Sequence, residues 1–427
     1  MSLTNEKIRV YTDILKEELV PAMGCTEPIA ISFASSIVSH VLGAYPTKIR
    51  VGLSGNIIKN VKSVIVPSTG GMHGIASAVC AGIICADPSK KLEVLTILTP
   101  EKVEEIKNYK ETCKMEIYEL EDSRPFEIII EGELGKNIAF VHLSKRHTNI
   151  EKVRLNGKDI TSRYYTLDDV VEKPSTDRSL LNVEDIVEFA DTVDLSELSP
   201  LLETQISYNM AIAKEGVSHD WGASIGRTLY LNSNGDTRII ARAMSAAGSD
   251  ARMNGCELPV LIISGSGNQG ITASVPLCVY AEKLGSSHEL LLRALIVSNL
   301  ITIHQKTGIG CLSAYCGAIS AGAGAGCGIC YLNGGKYYEI AHTLVNTVAI
   351  LSGTICDGAK SSCAAKIAMA VEAGIMGYDM AKSKRQFYSG EGIVTKGVEN
   401  TITNVGRLAS VGMSETDKEI IKIMLGK

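Results

Sequence analysis

The sequence predicts an α+β protein with a large, glycine- and alanine-rich all-α domain that includes the N-terminal helices, and a smaller α+β sheet domain inserted between them. Two features of the chain support this fold class. From about Tyr45, apolar residues occur in short β-branched runs separated by turns, which is typical of strands. Beyond residue 182 they recur at helical spacing among small residues. The 427 residues suffice for two or three domains and at least one substantial core.

Residues 1–44 are predicted to form two helices that pack on the larger domain. Residues 5–20 have an apolar stripe that includes Tyr11 and Leu15, and a second helix is expected from about Pro28 to Leu42. The first twenty residues carry charges every few positions and no apolar signal-peptide region. We therefore expect a cytoplasmic protein.

Residues 45–155 are predicted to form the α+β domain. Helices are expected near 72–86 and 100–109. The predicted strands are KIRVGL, SVIVP, LEVLTIL, MEIYEL, FEIIIEGE, IAFVHL and EKVRLNG. Residues 156–182, rich in Asp, Ser, Thr and Lys, are predicted to be a connector.

Residues 183–427 are predicted to be mostly helical. Glycine inside a helix costs about 0.5–1 kcal/mol relative to alanine, so the glycine density of this domain needs an explanation. Helices packed backbone to backbone would offset the cost, and so would a closely approached cofactor. The predicted helices are 183–194, 198–215, 236–252, 271–284, 288–303, 311–332, 338–353, 358–374 and 415–425.

Composition excludes two classes of partner. A formal net charge of −5 offers no basic stripe for nucleic acid. The uncharged stretch 307–335 is long enough to span a bilayer, but nine of its residues are glycine and Leu and Ile are sparse. We therefore expect no membrane segment and a small-molecule ligand. The size and the glycine-rich core fit a homodimer and a monomer equally.

Twelve cysteines in a large chain without a secretory signal indicate thiols, metal binding or catalysis rather than disulfides. The CxxC pair Cys327 and Cys330 has no second CxxC or His pair to complete a zinc site. Five others lie in apolar or strand-like contexts without a partner at ligand spacing and are interpreted as small core residues: Cys80, Cys85, Cys113, Cys256 and Cys278.

Three further cysteines are spaced as one distant and two local thiols. Cys316 lies in LSAYCGA, and Cys356 and Cys363 flank a tight turn in TICDGAKSSC. Iron–sulfur clusters are held by such thiolate sets, and three ligands would leave one iron open to a substrate. The alternative is three more buried thiols.

Cys25 in MGCTEPIAIS precedes a predicted helix start. Thr26 or Glu27 is expected to cap this helix, with Pro28 tolerated in its first turn. The thiol would then lie at the positive helix end, which lowers the pKa of a cysteine toward neutrality. Cys25 is therefore a candidate general base.

Two glycine-rich loops each follow a short apolar run and open a helix. PVLIISGSGNQGI predicts an anion site made by backbone N–H groups and by the side chains of Ser264, Ser266, Asn268 and Gln269; a plain glycine turn is the alternative. In VPSTGGMHGIA, His73 either orients a substrate and transfers a proton or is a solvated loop residue.

GCTEP, SGSGNQG, LSAYCG and CDGAKSSCAAK, taken together and in this order, resemble the L-cysteine desulfidase family. That family was long catalogued as uncharacterised and is related to the iron–sulfur-dependent L-serine dehydratase alpha chain. The resemblance covers essentially the whole chain. The short DGAKSS bridge before the last cysteine favours the desulfidase branch over the dehydratases.

The resemblance implies a lyase that converts L-cysteine to pyruvate, ammonia and hydrogen sulfide with a [4Fe-4S] cluster and without pyridoxal phosphate. It places three cluster ligands on Cys316, Cys356 and Cys363, so that the open iron binds the substrate thiolate. Cys25 falls on the catalytic thiol of the family. Residues 183–427 would then be the helical catalytic iron–sulfur domain.

Other roles stay open at this point. Glu27 either opposes thiolate formation or binds the substrate ammonium. Lys360, in the turn between two cluster ligands, is expected to bind substrate or to balance the negative charge of the cluster, and His304 to help balance that charge. The alternative functions are an iron–sulfur-dependent L-serine dehydratase and a non-catalytic metal- or redox-sensing protein.

Overall fold

The structure, a computed structural model, describes residues 3–121, 123–164, 176–310 and 313–426, without the side chain of Leu425. The chain divides into two compact units. The larger contains Met1–Ala22, Ser175–Cys356 and Ser361–Asp417. The smaller contains Met23–Pro174, Asp357–Lys360 and Lys418–Lys427. The mixture of a large helical unit and a sheet-containing unit confirms the predicted α+β class.

The chain begins with an amphipathic helix, α1 (Asn5–Glu18), capped by the Thr4 hydroxyl, which accepts the backbone N–H of Lys7. Tyr11 and Leu15 of the predicted stripe are fully buried. Strand β1 (Val20–Met23) follows and forms a two-stranded sheet with a later strand, β8.

The smaller unit contains four helices among its first hundred or so residues and a six-stranded mixed sheet. Strand β2 pairs in parallel with β3, and the remaining neighbours are antiparallel, in the order β3-β2-β4-β5-β6-β7. The helices are α2 (Thr26–Leu42), α3 (Gly55–Val61), α4 (Ile75–Cys85) and α5 (Pro100–Thr112). The strands are β2 (Lys48–Leu53), β3 (Lys114–Glu119), β4 (Glu127–Leu134), β5 (Asn137–Ser144), β6 (Ile150–Leu155) and β7 (Lys158–Asp159).

Two predicted strands of this unit are wrong. SVIVP contributes only an isolated bridge between Ile65 and His73. LEVLTIL lies in a 3₁₀-helical segment, Pro88–Ile97, where Pro88 occupies the first turn and Asp87 accepts the backbone N–H of Ser89. Short apolar runs do not distinguish strand from helix by periodicity alone, so this run is compatible with either structure.

The larger unit is helical apart from β1 and the short strand β8. Two of its helices, Ile225–Leu231 and Val398–Arg407, were not predicted. The helix predicted from residue 311 begins only at Gly317. Residues 311–312, and residues 165–175 of the predicted connector, lie outside the described part of the chain. The elements are α6 (Val183–Thr192), α7 (Ser199–Ser218), α8 (Ile225–Leu231), α9 (Thr237–Met253), β8 (Pro259–Ile262), α10 (Gly267–Leu284), α11 (His288–Ile309), α12 (Gly317–Leu332), α13 (Tyr337–Leu351), α14 (Cys363–Lys382), α15 (Val398–Arg407) and α16 (Ser414–Leu425), the last mostly in the smaller unit.

Glycines let α12 and α14 pack backbone to backbone, as the glycine density predicts. A Cβ on Gly322 would lie 2.3 Å from the carbonyl oxygen of Ala370, and one on Gly326 would lie 2.4 Å from that of Gly374. Both pairs are 48 positions apart in sequence. The two helices therefore run parallel, and their N-termini lie at the same end.

None of the helices in the described ranges is long and apolar enough to cross a membrane. Helix α12, which makes up most of the uncharged stretch, has only 16 residues and is buried in the helical unit.

Candidate active site

The parallel register of α12 and α14 brings two of the three predicted ligands together. Cys316 is the N-cap residue of α12, and Cys363 is the first residue of α14. Continuing the 48-residue offset from Gly322 and Ala370 sets Cys316 beside Cys363 and its neighbour Ala364. Two helix N-termini, each carrying a partial positive charge, thus meet at the two thiols.

Cys356 reaches the same region through a short antiparallel bridge. Tyr315 pairs with Ile355. The backbone N–H of Cys316 donates to the Thr354 carbonyl at 3.1 Å, and that of Cys356 donates to the Ala314 carbonyl at 2.6 Å. Cys316 and Cys363 therefore come from two helix starts. Cys356 comes from the strand-like segment that pairs with the residues before α12.

The electrostatics of Cys316 indicate that the three thiols are neighbours. Burial raises the pKa of Cys316 to about 12, and negative charge on Cys356 and on Cys363 raises it further, while the N–H of Ala318 and the charge of Lys366 lower it. Cys316 is only 8% exposed, whereas Cys356 and Cys363 are half-buried. The set of three thiols is therefore buried at Cys316 and partly accessible to solvent at Cys356 and Cys363.

These thiols do not form a site for a single ion. Across the described ranges, no group of three or more His, Cys, Asp or Glu side chains is arranged to hold one metal ion. Two sulfurs bound to one zinc ion lie within about 4.6 Å of each other, twice the bond length. In an iron–sulfur cluster each cysteine binds a different iron, so its ligands stand further apart, and the chemistry of three soft thiols fits such a group.

The SGSGNQG loop joins the short strand β8 to the start of α10. After β8, Ser264 and Gly265 both have positive φ, 48° and 76°, and the backbone groups of Ile263 and Ser266 exchange hydrogen bonds across this tight turn. Helix α10 then begins at Gly267, and Ser266, its N-cap, makes no side-chain cap hydrogen bond. The first backbone N–H groups of α10 are thus oriented for an anion.

Gln269, in the first turn of α10, links this loop to the cysteines. It is 5% exposed, and a Cβ on Gly317 would lie 2.8 Å from its side chain. Its Oε1 has no hydrogen-bond partner in the described structure. Ser264, Ser266 and Asn268 are half-buried around the same turn.

Unmatched buried polar atoms are concentrated around this region. Among the described residues, most buried side-chain nitrogen and oxygen atoms with no hydrogen-bond partner belong to three places. These are the end of α9, the start of α10, and the parts of α11 and α12 near Cys316 together with Tyr315. Buried polar groups are normally hydrogen-bonded to protein, water or a ligand, so this region can accept polar partners from outside the chain. These atoms are Ser249 Oγ, Asp250 Oδ1, Arg252 Nε, Gln269 Oε1, Gln305 Oε1, Tyr315 OH and Ser320 Oγ.

Cys25 belongs to the smaller unit and is itself the N-cap of α2, so the prediction that Thr26 or Glu27 caps this helix is wrong. The backbone of Cys25 is extended (φ −92°, ψ 128°), so the helix begins at Thr26, earlier than predicted. Its thiol, 4% exposed, donates to Glu27 Oε2 at 3.0 Å. The thiol thus lies at the positive helix end beside a carboxylate.

Glu27 is held by further side chains of the smaller unit. Thr26 donates to its Oε2 at 3.2 Å, and Asn60 donates to its Oε1 at 3.1 Å. His147 lies within electrostatic range, since burial lowers the pKa of His147 and Glu27 raises it. These hydrogen bonds fix the Glu27 carboxylate against the Cys25 thiol.

The other predicted residues have simpler surroundings. His73 is exposed in the loop before α4. Lys360 pairs with Asp357 Oδ1 at 2.5 Å and donates to two carbonyls of its own turn. His304 pairs with Glu399 Oε2 at 2.6 Å, and this contact opposes the effect of burial and lowers the pKa of Glu399.

Four of the five cysteines interpreted as core residues are buried. Burial raises the pKa of Cys80 and Cys278 to about 12, and Cys113 is only half-buried. The CxxC thiols Cys327 and Cys330 lie inside α12, 0% and 1% exposed.

Sequence reasoning missed Arg252, Asn60 and His147. Arg252 had a visible signal, because it is one of two charged residues in SAAGSDARM, a stretch otherwise made of small and apolar residues. Asn60 and His147 had none, because only the folding of the smaller unit brings them to Glu27.

The fold and the site define an α+β protein whose helical unit brings together three thiols and several unmatched buried polar groups. The family model described as serine dehydratase alpha chain matches residues 89–422. The chain therefore belongs to the serine dehydratase alpha chain family, whose members are lyases and generally iron–sulfur dependent.

Curated relatives match the chain over its full length, and each is named only a UPF0597 protein. One from Desulfitobacterium hafniense is 52% identical, covering 98% of this chain and 97% of its own. One from Lachnoclostridium phytofermentans is 50% identical, with 97% and 98% covered. One from Treponema denticola is 43% identical, with both chains fully covered.

Proposed function

We propose that the chain is a pyridoxal-phosphate-independent lyase that eliminates sulfide from L-cysteine and yields pyruvate, ammonia and hydrogen sulfide. The observation that carries this proposal is the meeting of Cys316, Cys356 and Cys363 at two parallel helix starts. A thiol-rich, positively polarised site suits a substrate that leaves as a soft sulfur anion. The enzyme would be cytoplasmic and act on a free amino acid.

Cys316, Cys356 and Cys363 would hold a [4Fe-4S] cluster. When bound, such a cluster with one iron free of protein ligands supplies a Lewis acid for the departing sulfur. The N-termini of α12 and α14 stabilise the negative charge that three thiolates bring. The half-exposed Cys356 and Cys363 leave the site accessible from one side.

The first turn of α10 would bind the substrate carboxylate. Its backbone N–H groups and the side chains of Ser264, Ser266, Asn268 and Gln269 can donate hydrogen bonds. We further propose that Lys360 contributes positive charge toward the substrate from its turn after Cys356.

Cys25 would remove the Cα proton of the substrate. Before this step, Glu27, which accepts a hydrogen bond from the Cys25 thiol at 3.0 Å, takes up the thiol proton. Cys25 is then a thiolate at the N-terminus of α2. Loss of the Cα proton and of sulfide leaves 2-aminoacrylate, which tautomerises and reacts with water to give pyruvate and ammonia. His73 is proposed to assist by orienting the substrate or transferring a proton.

The deciding experiment is anaerobic reconstitution with iron and sulfide, followed by assays of sulfide and pyruvate formed from L-cysteine and L-serine. We expect equal amounts of sulfide and pyruvate from L-cysteine, with a higher kcat/KM than for L-serine. The second candidate is an L-serine dehydratase, which the description of the matching family favours; a higher kcat/KM for L-serine would establish it. Fully reconstituted protein that acts on neither amino acid would instead be a metal- or redox-sensing protein.

The ligand assignment has its own test. Replacing Cys316, Cys356 or Cys363 by Ser should lower the iron content of reconstituted protein and weaken its visible absorption. Cys278→Ser is the control, because Cys278 lies in the same unit, is buried to the same degree as Cys316, and is outside the thiol set. Full iron content in any of the three variants would remove that residue from the ligand set.

A further inference from the structure

Arg252, in the larger unit, is a buried cation that has no carboxylate partner among the described residues. It lies at the C-terminal end of α9 and is 5% exposed. Its Nη1 donates to the neutral Oδ1 of Asn268 at 3.2 Å, and its Nε has no partner in the described part of the chain. An arginine side chain stays protonated, so its burial requires a compensating negative charge.

Arg242, on the same helix, differs from Arg252 because a carboxylate compensates its charge. Its Nε is also unmatched, but its Nη1 contacts Glu372 Oε2 at 3.2 Å. No carboxylate in the described ranges makes such a contact with Arg252. The nearest acidic residue in sequence, Asp250, directs Oδ2 to the N–H of Gly226 at 2.8 Å, and burial raises the pKa of Asp250 to about 6.

The position of Arg252 faces the anion-binding end of α10. A Cβ on Gly267, the first residue of α10, would lie only 2.4 Å from Arg252 Nε. The guanidinium and the first-turn N–H groups of α10 therefore meet at one place, and two independent features there attract the same charge. Gln269, one residue beyond Asn268, contacts Gly317 next to Cys316.

We infer that Arg252 is the residue that recognises the substrate carboxylate, and that it selects α-amino acids over analogues that lack the carboxylate. This inference rests on the proposed function and adds the residue that sets the substrate class. The guanidinium offers Nε and an Nη hydrogen as a planar pair that matches the two carboxylate oxygens, while Asn268 holds the other Nη group. Glycine at position 267 leaves room for the contact.

The test compares Arg252→Lys and Arg252→Gln with wild type, with Arg227→Gln as the control. Arg227 lies on the surface helix α8 and donates to the Val217 carbonyl. We expect the Arg252 variants to keep the cluster absorption of wild type, to raise the KM for L-cysteine about 10- to 100-fold, and to lower kcat less. The lysine variant should lose less than the glutamine variant, because it keeps the charge.

Direct binding separates this inference from the proposed function. Calorimetry with L-alanine, which has no leaving group, and with L-alaninamide, which lacks the carboxylate, needs no turnover. Wild type should bind L-alanine in preference to the amide, and the Arg252 variants should lose that preference. If the variants retain it with an unchanged KM, the inference is wrong, whereas wild type that binds L-alanine but acts on neither L-cysteine nor L-serine overturns only the proposed function.

Discussion

At the scale of single residues, the contact between Cys25 and Glu27 sets the orientation of the thiol at the start of α2. A helix N-terminus favours the thiolate, and the neighbouring carboxylate accepts the thiol hydrogen at 3.0 Å. Asn60 holds the opposite oxygen of the same carboxylate. The thiol and the carboxylate therefore have a defined orientation relative to each other, as the proposed proton transfer requires.

Replacing Cys25 by Ala should leave the iron content unchanged and lower kcat for L-cysteine by at least about 100-fold, since a general base contributes roughly 10² to 10⁴ in rate. Iron analysis and sulfide release measure the two quantities. Cys80→Ala, in the same unit and fully buried, is the control. Loss of iron in the Cys25 variant would make Cys25 a ligand instead of a base.

Asp250 gives a prediction about pH. Burial raises the pKa of Asp250 from 3.8 to about 6, so the folded protein binds this proton more tightly than the unfolded chain does. Stability from this group is full below about pH 4 and is lost as the pH rises through 6, by up to about 3 kcal/mol. Asp250→Asn should remove that loss, and denaturant unfolding at pH 4.5 and 7.5 measures it; the same pH dependence in the variant would contradict the assignment.

At the scale of helices and strands, the contact between α12 and α14 positions the thiols. Gly322, Gly326 and Gly374 let the two backbones approach to a distance that no side chain permits. The cost of glycine inside a helix is thereby offset by close packing, and the same packing fixes which residues meet at the helix starts.

Gly326→Ala should therefore separate α12 from α14. The added methyl would lie 2.4 Å from the Gly374 carbonyl, and relieving that overlap costs about 1–3 kcal/mol. We expect a lower midpoint of thermal unfolding and a lower iron content. Gly353→Ala, where nothing lies within 4 Å of the added carbon, should change neither; equal behaviour of the two variants would contradict this role of the helix contact.

The sequence predicted most helices and the strands β2 to β6, because their apolar periods are long or clearly β-branched. It did not predict the 3₁₀ segment Pro88–Ile97, whose apolar run is too short to distinguish strand from helix. The motifs pointed to the cysteines and to the SGSGNQG loop. The charge of Arg252 stands out in SAAGSDARM, but its burial without a carboxylate partner among the described residues is a product of tertiary packing and cannot be counted along a chain.

At the scale of the whole molecule, cluster binding and folding should be coupled in the larger unit. Cys316, Cys356 and Cys363 come from three places in the chain, and a group that binds only the folded arrangement stabilises it by mass action. Reconstituted wild type should unfold at a higher temperature than protein stripped with a chelator under anaerobic conditions. Cys316→Ser should show no such difference, while Cys278→Ser should behave as wild type; an unchanged midpoint in wild type would refute the coupling.

The 48-residue offset between α12 and α14 also limits how the length of this chain can vary. Each residue inserted into a helix rotates the residues on one side of it by about 100° relative to the other side and shifts them by about 1.5 Å. One insertion between Cys316 and Gly322 would therefore turn the thiol away from its neighbours while the glycine contact stayed in place. Insertions directly after α13, before the turn that follows it, change neither α12 nor α14. Natural length differences among relatives should therefore accumulate there and be absent from the first two turns of α12 and α14.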